Sequence, residues 1–184
     1  MSLMGWSIGV RESELGAELD EYLLMLGKAV SLACSFEKKC LSVVRIGRAV
    51  EHVQTAQPGY LDLLDFLKGL DDSLLGRALR DLAALPGVQA TTVDLLNRGR
   101  RARNTIVHEL GNVTPVHCTL GTLHQLRAAL DSAVDELIVG DNCISEWIYW
   151  IEEKEAPPKQ IAASYRTRVR GWVFGEPESA NLVP

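Results

Sequence analysis

The residues best suited to chemistry in this sequence are an arginine and a histidine that stand close together. Arg103 is followed directly by Asn104, and His108 comes four residues later. Arginine binds a phosphate through a planar fork of donors and keeps its charge at every physiological pH. Histidine changes its charge near neutral pH and can move a proton to or from an oxygen atom. Together they could cleave RNA without a metal, because the ribose 2′-hydroxyl would attack the adjacent phosphorus while positive charge stabilises the crowded phosphate.

Helical geometry limits how these two side chains could act. An α-helix turns about 100° and rises about 1.5 Å per residue, so Arg103 and His108 should lie about 140° apart around the axis and about 7.5 Å apart along it. We therefore expect that they are not adjacent neighbours. They could flank one phosphate in a wide site, or in a site that a second subunit completes. Asn104 is one turn from His108 and could orient the imidazole.

Glu37 is an acidic residue on a predicted apolar helix face. A carboxylate in that position is costly unless it is paired or hydrogen-bonded, so we expect a cationic or hydrogen-bonding partner, with Arg103 as a candidate. The alternative is that this face opens into solvent. Lys38 and Lys39 are predicted on the polar side of the same helix, where charge costs little. The apolar stripe around Glu37 consists of Leu26, Val30, Ala33, Cys40 and Val44.

Three further arginines, Arg98, Arg100 and Arg101, precede Arg103 in an otherwise acidic chain. They are candidate RNA-binding residues, because any nucleic-acid contact of an acidic protein must come from a local basic patch. The alternative is a solvated helix face. Leu95, Ala102, Ile106 and Leu110 are predicted to face the core.

Length and composition predict one medium domain. The chain has 184 residues, 24 acidic and 19 basic side chains and a net charge of -5, and 47% of its residues are hydrophobic. This apolar content excludes a disordered chain, and the charge excludes a generic polyanion binder. Neither a transmembrane helix nor a secretion signal is expected, so we predict a cytoplasmic protein.

The sequence offers no familiar metal or cofactor motif. Its four cysteines form no C-x-x-C pair and no zinc-site spacing, so we expect reduced, buried thiols. A metalloprotease H-E-x-x-H motif, a Gly-rich phosphate loop and a G-x-S-x-G elbow are also missing. We therefore predict no metal and no cofactor.

The apolar periodicity predicts an all-α protein, an antiparallel helical bundle with a long first helix and a C-terminal extension. Residues 1–13 form an N-terminal segment, 14–155 the helical domain and 156–184 a C-terminal arm. Basic and apolar positions alternate over 165–172, which suits an extended arm over a partner subunit, a nucleic-acid contact or docking on the chain's own domain. The predicted helices cover 14 to about 52, 60–70, 74–85, 91 or 92 to about 110 with a threonine cap, 120–139, and 143–155 after a break at Gly140-Asp141-Asn142.

The segment from Arg103 to His108 resembles the signature of the HEPN superfamily (higher eukaryotes and prokaryotes nucleotide-binding domain). In that family an arginine, often followed by a polar residue, precedes a histidine by four to six positions. The long first helix fits as well, and the resemblance covers residues 14–155, with the motif as its specific part. It implies a helical bundle that homodimerises and brings two motifs into one cleft. Many members are metal-independent ribonucleases, often toxins or defence effectors, and others only bind.

Carried over to this chain, the resemblance implies that Arg103 binds the scissile phosphate and that His108 is the acid/base group. Asn104 would be their polar support, and Glu37 a further member of the site. One departure concerns regulation: Leu110 stands where HEPN toxins with a nucleotidyltransferase antitoxin usually carry a tyrosine. Any antitoxin or nucleotidyltransferase partner would be a separate chain. The alternatives are a non-catalytic HEPN-like module that binds RNA, a nucleotide or a partner protein, and a structural helical adaptor.

Overall fold

The computed structural model describes residues 16–57, 59–69, 74–85, 87–112 and 119–175, and within these ranges it contains helices and no strand. The prediction of an all-α fold with a long first helix is confirmed. No helix in the described ranges combines the length and the apolar character that a membrane span requires. The elements are α1 (Gly16–Ala56), α2 (Tyr60–Lys68), α3 (Leu75–Ala83), α4 (Ala90–Asn104), a π-helical turn (Thr105–Glu109), a 3₁₀ turn (Leu110–Asn112), α5 (Leu120–Glu153) and α6 (Lys159–Phe174).

The start of α4 differs from its prediction. The helix begins at Ala90 after Gln89, whose extended backbone ends the preceding turn, and no side chain caps it. The predicted cap at Thr91 or Thr92 is therefore wrong, because both threonines lie inside the first helical turn. The predicted start of the first helix at residue 14 and the last residue of the helix predicted over 60–70 lie outside the described residues.

α5 runs without interruption through the predicted break at 140–142, so that prediction is wrong. Gly140 lies where α5 crosses α4, opposite Gly99. A methyl group on Gly140 would stand 2.8 Å from the Gly99 Cα and 3.1 Å from the Leu95 carbonyl oxygen. Glycine therefore serves close packing of two helices here, and its weak helix propensity is overridden by that packing.

The core side of α4 is centred on Gly99. A Cβ there would meet Phe36 Cζ at 2.9 Å and Gly140 Cα at 3.1 Å. Leu96 and Ala102, each three residues away, are buried with it, whereas Leu95 is only half-buried. The core-facing stripe therefore contains Leu96 in place of Leu95, and Ala102, Ile106 and Leu110 are buried as predicted.

The helices that neighbour α5 run in different directions. α4 is antiparallel to it, because Arg98 pairs with Glu136 and Leu95 lies beside Gly140. α1 runs parallel to it, since Glu21 contacts Arg127 near one end and Lys39 contacts Asp141 further along both helices. Three helices, α2, α3 and α4, lie between α1 and α5 in the chain, and α5 runs in the same direction as α1.

Of the alternatives for the C-terminal arm, docking on the chain's own domain is confirmed for residues 159–174, which form α6 and pack on α5 and α1. The extended conformation is wrong for these residues. Tyr165, Val169 and Val173 recur every four residues and supply its apolar side. Two of the three arginines in this stretch pair with α5: Arg166 with Asp135 at 2.6 Å, and Arg170 with Asp135 at 2.8 Å and Asp131 at 2.6 Å. The third, Arg168, is exposed. The alternation therefore belongs to a helix with one apolar side flanked by arginines.

A polar cluster is buried where α1, α5 and α6 meet. Asp141 is fully buried and accepts hydrogen bonds from Lys39 Nζ at 3.0 and 2.9 Å and from the Tyr165 hydroxyl. Lys39 also donates to Ser145 Oγ at 2.9 Å. Burial and the Asp141 charge raise the pKa of Tyr165 above its ordinary range. The predicted solvated position of Lys39 is wrong, because α5 and α6 cover that side of α1.

The cysteines in the described ranges are free thiols in three different environments. Cys40 is buried, Cys143 is half-buried and Cys34 is exposed, so the prediction of buried thiols is wrong for Cys34. Burial raises the pKa of Cys40, and burial together with the Glu146 charge raises the pKa of Cys143 to about 11. Within the described residues no group of three or more His, Cys, Asp or Glu side chains could hold a metal ion. Cys118 lies outside them.

Candidate functional site

A π-helical turn brings the arginine and the histidine of the motif together. After Asn104 the helix widens into a π-helical turn, and the Leu110 N–H contacts the carbonyls of both Ile106 and Thr105, four and five residues back. A turn of this kind places residues five apart on the same side of the helix. Arg103 Nη1 consequently lies 3.0 Å from His108 Nε2. The prediction that the two side chains cannot be adjacent is wrong, because it assumed α-helical geometry up to Leu110.

Glu37 supplies the anion that holds the guanidinium in place. Arg103 donates to the same Glu37 oxygen, Oε2, from Nε at 3.2 Å and from Nη2 at 2.6 Å. Both side chains are largely buried, with 18% of Arg103 and 26% of Glu37 exposed. The cationic partner predicted for Glu37 is thus Arg103, across the interface between α1 and α4.

The contact between Arg103 and His108 defines the state of the imidazole. A guanidinium has only donors, so His108 Nε2 must accept, and its proton is on Nδ1. Protonation of Nε2 would replace this hydrogen bond by repulsion between two cations. The charge of His108 therefore decides whether Arg103 Nη1 donates to His108 or is available to another acceptor.

Asn104 completes the coordination of the guanidinium. Its Oδ1 accepts from Arg103 Nη1 at 3.2 Å. Glu37 takes Nε and one Nη2 hydrogen, and His108 and Asn104 take Nη1, which leaves one Nη2 hydrogen without a partner among the described residues. His108 is exposed at the surface. The arrangement combines an oriented cation, a spare donor and a proton acceptor at a site that a polymer can reach.

The other arginines do not join this cluster. Arg98 makes a two-point contact with Glu136 of α5, from Nε at 2.6 Å and from Nη2 at 2.9 Å. This hydrogen bond lowers the pKa of Glu136, and the charges of Arg98 and Arg101 lower it further. Arg100 points towards α3, where its Nη1 lies 4.0 Å from a Cβ built on Gly76, and Arg101 is exposed. The arginines thus spread around α4 towards α5, α3 and solvent.

The π-helical turn is the feature of the site that sequence reasoning missed. Three β-branched residues in succession, Thr105, Ile106 and Val107, occupy it. Such residues crowd the preceding turn of an α-helix and lower its stability. Their run directly before His108 is the signal that could have indicated a local departure from α-helical geometry.

Comparison of this chain with protein-family models, with curated proteins and with solved structures finds no match.

Proposed function

We propose that this protein is a metal-independent endoribonuclease of HEPN type, in which Arg103 and His108 act on the RNA phosphodiester. The observation that carries the proposal is the 3.0 Å contact between Arg103 Nη1 and His108 Nε2. It brings a permanent cation and a proton acceptor within reach of one phosphate group. Exposure of His108 at the surface suits a polymeric substrate.

Each side chain of the cluster has a role in the proposed reaction. His108 Nε2 accepts the proton of the ribose 2′-hydroxyl as its oxygen attacks the adjacent phosphorus. For this transfer Arg103 Nη1 first moves its hydrogen bond from His108 Nε2 to a non-bridging oxygen, on which negative charge accumulates, and this frees the Nε2 lone pair for the proton. Glu37 and Asn104 keep the guanidinium oriented during this exchange. As the bond from phosphorus to the 5′-oxygen breaks, that oxygen takes up a proton from an imidazolium form of His108, and the products end in a 2′,3′-cyclic phosphate and a 5′-hydroxyl.

The wider setting follows from the same resemblance and belongs to the proposal. A homodimer would bring two such clusters into one cleft, so that a second His108 can protonate the leaving oxygen. We propose a cytoplasmic protein of toxin or defence type whose antitoxin or nucleotidyltransferase partner, where one exists, is a separate chain. Arg100 and Arg101, on the same helix as Arg103, would contact flanking phosphates.

The test is cleavage of end-labelled RNA in EDTA, with mass spectrometry of the product ends. Arg103→Ala and His108→Ala should each lower the rate by about 100-fold or more, as expected for loss of acid–base or charge stabilisation. The matched controls are His124→Ala and Arg168→Ala, which change exposed residues of α5 and α6. Circular dichroism should show that all four variants remain helical. Cleavage by His108→Ala at the wild-type rate would refute the mechanism.

One observation favours a second candidate, a non-catalytic module that binds RNA, a nucleotide or a partner protein. Most donors of Arg103 are already occupied by Glu37, Asn104 and His108, as in a structural ion pair. This candidate predicts RNA binding that weakens steeply with salt and no cleavage products after long incubation. Detection of cyclic phosphate ends that depend on His108 excludes it.

A further inference from the structure

A cavity of about 360 Å³ lies between α1, α2 and α3, away from the Arg103 cluster. It is open to solvent and combines an aromatic wall with charged groups. The side chains that matter for its chemistry are Arg48, Glu51, His52, Thr55, Phe66 and Asp81.

The aromatic wall is a stacked pair of rings. His52 of α1 and Phe66 of α2 are nearly parallel, with an interplanar angle of 7° and centroids 4.1 Å apart. α2 buries none of its residues completely, and this stack is one of its contacts with α1. A planar aromatic surface beside an open cavity is the arrangement on which nucleobases stack in proteins that bind single-stranded nucleic acid.

The polar groups of the cavity offer donors and acceptors in separate places. Arg48 lines the cavity, pairs with Asp81 through Nη2 at 2.7 Å and remains 37% exposed, and Nε and Nη1 of its planar fork take no part in that contact. The Glu51 carboxylate has no hydrogen bond or ion pair to another side chain within the described ranges. The Thr55 hydroxyl donates to the Glu51 backbone carbonyl at 2.8 Å, which leaves its oxygen as an acceptor.

We propose that this cavity binds a guanine base. Guanine presents adjacent N–H donors on one edge, which suit the Glu51 carboxylate, and its O6 and N7 acceptors suit the fork of Arg48. The base stacks on the outer face of one ring of the pair, because the inner faces of His52 and Phe66 are stacked on each other. Adenine, cytosine and uracil each lack one of these two complementary edges. The chemistry thus selects guanine, either in single-stranded RNA or as a free nucleotide.

The position of the cavity connects it to the proposed active site, and this step rests on the proposed function. Arg48 and Glu37 are eleven residues apart on α1, which places them within about 20° of each other around the helix axis. His52 lies about 22 Å beyond Glu37 along the same helix. An RNA strand whose guanine occupies the cavity could therefore reach the Arg103 cluster several nucleotides away.

The experiment measures binding, separately from cleavage, with 2′-O-methyl oligonucleotides, which cannot form a cyclic phosphate. The probes are two short oligomers that differ by one guanine or adenine, together with free GMP and AMP. The guanine oligomer should bind at least about tenfold more tightly than the adenine oligomer. Tighter binding of the oligomer than of GMP identifies RNA as the source of the base, and the reverse identifies a free nucleotide.

Glu51→Gln should abolish the preference for guanine, whereas Glu152→Gln, which removes the same charge from an exposed site on α5, should preserve it. Phe66→Leu, which keeps an apolar side chain on α2, should weaken binding of both oligomers about tenfold. Equal binding of both oligomers, or a guanine preference that survives Glu51→Gln, would overturn the proposal. In Arg103→Ala the preference should persist, so a protein that fails to cleave RNA can still pass this test.

Discussion

The crossing of α4 and α5 is the most sensitive point of the packing, and Gly140→Ala tests it. The new methyl group would lie 2.8 Å from the Gly99 Cα, 3.1 Å from the Leu95 carbonyl oxygen and 3.2 Å from the Gly99 backbone nitrogen. All three are backbone atoms of α4, so no side chain can move aside. Because carbon atoms pack at about 3.5–4.0 Å, the two helices must separate by roughly 1 Å.

The expected loss of stability follows from two opposing effects. Overpacking of a tightly packed core costs about 1–3 kcal/mol, and the rigid backbone opposite Gly140 favours the upper end. The replacement of a helical glycine by alanine stabilises the helix by about 1 kcal/mol. We therefore expect Gly140→Ala to lower the free energy of unfolding by about 2 kcal/mol. Gly99→Ala should behave similarly, since its methyl group would meet buried Phe36 at 2.9 Å.

Urea unfolding followed by circular dichroism measures these changes. The control is Gly27→Ala, an exposed position of α1 where a Cβ would meet nothing within 4 Å. That variant should be more stable than wild type by up to about 1 kcal/mol, because only helix propensity changes. A Gly140→Ala protein as stable as Gly27→Ala would refute the close crossing of α4 and α5.

Two further predictions concern buried polar groups. Lys39→Met should lower the free energy of unfolding by about 3–5 kcal/mol, because it leaves the fully buried Asp141 carboxylate without its cation. Asp141→Asn should lower the free energy of unfolding by less, because Lys39 is 26% exposed and its ammonium group can reach water. Urea unfolding that finds Asp141→Asn less stable than Lys39→Met would contradict this account. The free energy of unfolding should also fall as the pH rises from about 9 to 11. The pKa of Cys143 is about 11 in the folded protein and near its ordinary value of 9.0 in the unfolded chain. The unfolded chain therefore releases this proton at a lower pH, and a rising pH favours unfolding. The urea midpoint at pH 8 and 10.5 measures this fall, which should be smaller in Cys143→Ala, and an equal fall in both proteins would count against burial of this thiol.

Part of the candidate site follows from sequence reasoning. Glu37 interrupts an apolar stripe, and a carboxylate there requires a partner whatever the fold. Arg103 and His108 stand out through their chemistry and their spacing. The π-helical turn that makes them adjacent could not be predicted from the helical pattern, because that pattern continues through the turn. Only the run of β-branched residues from Thr105 to Val107 indicates it.

The order of residues alone determined that this chain is helical, because apolar side chains that recur every three to four positions can be buried together only on one side of a helix. It also indicated that Glu37 needs a partner, whereas the pairing of Lys39 with Asp141 did not follow from it. The tertiary structure decided which sides of the helices are covered and how closely they approach. Lys39 meets a carboxylate 102 positions away, and Gly140 continues a helix because Gly99 lies opposite it. Such contacts depend on residues distant in the chain, and a local pattern carries no information about what will lie across from it.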